Sequence, residues 1–96
     1  MHIKAHLPWL QHSAYLANLY KNLAEWIERQ SIIPWHVHYD HNDNLLIVHM
    51  PEQMFFDIFI GETIHSTNET LGYNYTVQKN GLLFTCFVPH RQQFSA

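Results

Sequence analysis

Residues 35–41 read WHVHYDH, and His49 follows a few residues later in LLIVHM. Imidazole is the commonest protein metal ligand and changes charge near neutral pH. Histidines at this spacing therefore raise the prospect of a metal centre. On a β-strand, alternate residues share a face and lie about 6.6–7 Å apart. His36 and His38 then reach a common zinc ion through bonds of about 2.0–2.1 Å. His49 falls opposite His36 if the two segments pair as a hairpin. His36, His38 and His49 are thus the candidate ligands for zinc or nickel, with Asp40 at the edge of the group.

The string H-x-H-x-D-H from His36 to His41 resembles the zinc-ligand string of the metallo-β-lactamase superfamily. That resemblance implies a zinc centre on a loop at the edge of a β-sandwich, completed by further His and Asp ligands far downstream. It covers six residues and ends there. The string lies in a strand-like segment, HVHYDHND lacks the glycine the family shows just after the motif, and the family's domain is much longer. The chain is read as lying outside that family. The first reading of the motif is a solvated sheet face whose polar positions are histidine; the second is a structural metal site.

Other catalytic arrangements are weaker. Cys86 lies inside LLFTCFV, where a thiol acts as a small buried hydrophobe and not as an exposed nucleophile in an electropositive setting. Three glycines leave no G-x-S-x-G, Walker or G-x-G-x-x-G loop. Asp57 and Glu62 read as the solvated side of a second helix. Trp9 and Trp26 read as core. The expectation is a non-catalytic protein without a cofactor.

Composition narrows the class. Hydrophobic residues make up 47% and charged residues only 14% of the chain, against about 25% charged in a typical domain. Such a chain folds, here as one domain over residues 1–96. Low charge with many aromatics also implies that a partner covers some apolar surface. Five Lys and Arg are scattered through a chain of net charge −3. Nucleic acid needs several cations on one face, so that partner is disfavoured. One cysteine excludes an internal disulfide. MHIKAHLPWLQH lacks the apolar core of a signal peptide, and no apolar run is long enough to span a membrane. A cytoplasmic setting is expected, and the N-x-T triplets at Asn68 and Asn74 read as chance.

The elements follow from periodicity. Leu16, Leu19, Leu23, Trp26 and Ile27 form a stripe at helical spacing, predicting a helix over 8–30, with Pro8 in its first turn and Ser13 as a rival N-cap. Pro34 ends it. Trp35, Val37 and Tyr39 alternate with His36, His38 and Asp40, which is strand spacing. A two-residue turn at Asn42-Asp43 pairs Asp40 with Leu45, His38 with Ile47 and His36 with His49. Trp35, Val37, Tyr39, Leu46, Val48 and Met50 then face the core. Residues 51–65 are predicted helical, although FFDIFI also suits a strand. Asn80-Gly81 marks a hairpin that pairs Lys79 with Leu82.

The order α-ββ-α-ββ predicts an α+β two-layer sandwich, a four-stranded antiparallel sheet with two helices on one face. Leu23, Trp26, Val37, Leu46, Val48, Phe84 and Cys86 form its expected core. The other face sets Leu45, Ile47, Leu83 and Phe87 among polar residues. An apolar centre with a polar rim is how an interface looks, so these four are the expected contacts for another protein or a second copy of the chain. The expected function is a small protein-binding module such as an inhibitor, adaptor or chaperone-like protein. The alternative is a zinc- or nickel-binding protein.

Overall fold

The computed structural model describes residues 3–90, with side chains over 11–90. It is α+β, with the order α1 (Ile3–Gln30), β1 (His36–Asp40), β2 (Leu45–His49), α2 (Glu52–Ile58), β3 (His65–Glu69), β4 (Gly72–Lys79) and β5 (Leu82–Pro89). The sheet has five strands in the order β1-β2-β5-β4-β3. The predicted class is correct, and the predicted sheet is not: β3 is an additional strand, and β2 and β5 pair parallel.

Both hairpins have the predicted register. Asp40 pairs with Leu45, His38 with Ile47 and His36 with His49. The first connection is a four-residue turn over 41–44 and not the expected two-residue one, because only Asn44 takes the left-handed region (φ 54°) where a type I′ turn needs two such residues. The Asn42 amide donates to the Asp40 carboxylate, and Tyr39 Oη donates to the Asn44 side chain. Lys79 pairs with Leu82 across Asn80 (φ 51°) and Gly81 (φ 78°). Two consecutive positive φ angles are what a type I′ turn requires, and Asn-Gly supplies them at least cost.

The helices depart from expectation at their ends. The α1 backbone is helical from Ile3, five residues before the predicted start, so Pro8 lies within it and not in its first turn. Helix α2 covers Glu52–Ile58, not 51–65, with Pro51 as its N-cap. The chain leaves it through Gly61 at φ 81°, a conformation that suits glycine and ends helices. Glu62 therefore lies beyond the helix, where it forms an ion pair with Lys79.

Both helices pack on one face of the sheet. Leu19, Leu23 and Trp26 from α1, Phe55 from α2 and Phe59 at its C-cap meet Leu46, Val48, Val77, Leu82, Phe84 and Cys86. Trp26 and Phe84 rings lie 4.4 Å apart, and Phe59 sits 5.1 Å from Phe84. Full burial contributes about 1.5–3 kcal/mol per large apolar side chain, so this aromatic group dominates the core. Six of the seven expected core residues are buried, and Val37 is half-buried.

Trp35 is the main correction to the core. Alternation places it on the helix side, yet it is 74% exposed, and Ile33 nearby is 81% exposed. Alternation specifies a face; burial also needs something above that face. Helix α1 ends at Gln30, before Trp35, whose amide still bonds the His49 carbonyl at the end of the β1–β2 ladder while its side chain stays exposed.

Candidate functional site

The face away from the helices has no covering element among the described residues. Strand pairing sets out its residues in rows. One row runs His38, Ile47, Leu83 and Gln78 from β1 to β4. The next runs His36, His49, Thr85, Thr76 and His65 across all five strands. Asn74 lies opposite Phe87 at the far end.

The three candidate metal ligands come together in these rows. Ring centres are 5.5 Å apart for His36 and His38, 5.6 Å for His36 and His49, and 5.1 Å for His38 and His49. Ring planes make angles of 23–41° with one another, so the imidazoles lie side by side. Among the described residues no three His, Cys, Asp or Glu side chains converge on a metal position as they stand. His36 and His38 are exposed and His49 is half-buried.

The pKa of His49 is lowered, first by its partial burial and then by the neighbouring His38 and His36. Both effects disfavour the imidazolium form. A base whose folded pKa is depressed binds fewer protons folded than unfolded, so its contribution to stability is present above the free value of about 6.5 and declines as pH falls below it. In a chelator-containing buffer the melting temperature is expected to fall between pH 7.5 and 5.5. His49→Gln should reduce that fall. An unchanged pH profile in His49→Gln would show that the loss of stability comes from other groups.

The four candidate partner contacts divide. Leu45, Ile47 and Leu83 are half-buried neighbours, Ile47 and Leu83 being directly paired. Phe87 stands apart, two residues beyond Thr85 on β5, and its ring lies over Gly72. Thr85 is only 5% exposed although it is on the open face. Longer neighbours surround it, and its hydroxyl donates to the Asn74 side-chain oxygen at 2.7 Å. The expected single apolar patch is thus a three-residue island with Phe87 separated from it by a polar row.

Sequence reasoning missed the exposed Ile33 and Trp35 and the polar row that ends at His65. Pro34 between Ile33 and Trp35 marks an extended stretch and was the available signal for the first pair. Nothing in HSTNE pointed to the second.

The other chemically suggestive groups are engaged. Burial, then Glu52, pushes the Cys86 thiol up to about 11, so it stays protonated at neutral pH. Asp57 accepts a hydrogen bond from Gln53. A depression of about 250 Å³ lies between α1 and the β4–β5 turn, and its charges include the paired Lys79 and Glu62. It lies on the helix side, away from the histidines. No helix among the described residues is long and apolar enough to cross a membrane. No family model, curated protein or solved structure matches this chain.

Proposed function

We propose that the protein is a small non-catalytic binding module of the inhibitor, adaptor or chaperone-like kind, whose open sheet face docks on another protein or on a second copy of the chain. One observation carries this reading: the Leu45, Ile47 and Leu83 island sits on an uncovered face, bordered by His38, His49 and Gln78. An apolar centre ringed by polar groups suits a surface that is solvated when free and desolvated when bound.

A second copy of the chain is the partner this face suits first. Its strands carry no Lys or Arg on this side, and its carboxylates, Asp40 and Glu69, stand on opposite edge strands. Two such faces can meet without burying like charges against each other, which would be costly. Two stacked sheets would pack about 10 Å apart.

Ile47→Asp tests the reading, because it places an unpaired charge at the island's centre. Wild-type protein should scatter light as a dimer and the variant as a monomer with an unchanged far-ultraviolet spectrum. A variant that self-associates like the wild type would place the interface elsewhere. An unfolded variant would show that Ile47 belongs to the core.

A further inference from the structure

We propose that His36, His38 and His49 form a three-histidine site for a divalent transition-metal ion of the zinc or nickel class, on the outer face of the β1–β2 hairpin. The spacing argument starts from the metal. An ion bonded at about 2.0–2.1 Å to three imidazole nitrogens in tetrahedral geometry holds the ring centres about 5 Å apart. The three rings already stand 5.1–5.6 Å apart. The ring-centre separations thus already match a ligated set, and ring orientation is what differs. The rings of His36 and His38 are exposed, so turning them inward disturbs no packing, and exposed side chains reorient on a picosecond to nanosecond timescale.

The register is a constraint imposed by the fold. His36 and His49 are held opposite each other on paired strands, and His38 is one alternation along β1. This hairpin is tied at its turn, where the Tyr15 hydroxyl of α1 donates to the Asn44 carbonyl. Rigid strands hold a ligand set better than loops do.

The donor set selects the ion. Three imidazoles and no carboxylate suit zinc, nickel or copper and do not suit calcium or magnesium, which take oxygen ligands. Asp40 is held in the turn by the Asn42 amide. A tetrahedral ion held by three imidazoles would keep a fourth position for water or an external donor. The remaining histidines with described side chains lie elsewhere. His41 and His12 rest against Tyr39, His90 against Tyr73, and His65 is at the opposite edge of the sheet.

The test is calorimetric titration of zinc into protein made without an affinity tag and stripped with chelator. Wild type should bind one zinc ion per chain, and His38→Gln should weaken that binding by more than the roughly tenfold that loss of even an outer-shell partner costs. The triple variant His36→Gln/His38→Gln/His49→Gln should lose the single-site isotherm, while His12→Gln and His65→Gln keep it. If His49→Gln unfolds, His36→Gln/His38→Gln carries the same expectation, because both side chains are exposed. Stoichiometric zinc binding that survives in the folded double or triple variant, or no stoichiometric binding by wild type, overturns the proposal.

Discussion

Phe84→Ala is expected to lose about 3–5 kcal/mol of folding stability, the range for truncating a fully buried aromatic. Phe84 is wholly buried on the central strand β5, between Trp26 of α1 and Phe59 at the C-cap of α2. Removing its ring leaves a void that two helices and the sheet cannot all close at once. The loss is a large fraction of the about 5–15 kcal/mol that holds a typical protein folded. Urea melts of the wild type and variant measure it. A loss below about 1 kcal/mol would be out of range for a cavity of this kind and would mean that the helices do not rest on this face.

Gly72→Val is the second large effect, and its origin is the backbone. A Cβ at Gly72 would press on the Val88 carbonyl oxygen, and would lie 2.7 Å from Pro89 Cα and 2.8 Å from Phe87 Cζ. Two of those three atoms are backbone atoms of the paired strand β5, so they yield only if Gly72 and Pro89 separate. Overpacking typically costs about 1–3 kcal/mol, and the backbone obstacle places this site at the upper end or above. Gly61→Ala is the control: its Cβ meets nothing within 4 Å, and only its φ of 81° opposes the change. A left-handed residue other than glycine costs about 1–2 kcal/mol. Equal melting temperatures for the two variants would show that crowding is not what requires glycine at position 72.

The parts of the fold that were legible in the sequence are the local ones. Asn80-Gly81 and the alternation through WHVHYD and LLIVHM are short-range signals, and both hairpin registers followed from them to the residue. That register was also enough to bring the three histidines together. Strand β3 was hidden because HSTNE has no apolar residue, and an exposed edge strand needs none. The parallel pairing of β2 with β5 joins strands distant in sequence, so no turn announces it. Their compositions did carry a trace: LLIV and LLFTCFV are nearly continuous apolar runs, which is how central parallel strands read. The early end of α2 was visible in Gly61. The exposure of Trp35 was not visible, since alternation assigns a side and cannot say where a covering helix stops.

The parallel β2–β5 contact also organises how the chain would fold. Every other pairing in the sheet joins consecutive strands through a short connection. Hairpins of that kind form locally, on a timescale of about 1–10 μs. The β1–β2 hairpin and the β3–β4–β5 meander can thus arise as separate units. They become one sheet only when Leu46 meets Leu82 and Val48 meets Phe84, contacts that require closing the chain between them before they are rewarded. The aromatic cluster of Trp26, Phe59 and Phe84 assembles at that same junction. The folding barrier is accordingly placed at the β2–β5 seam, and substitutions along it should slow folding, whereas changes in either hairpin turn should act on its own unit.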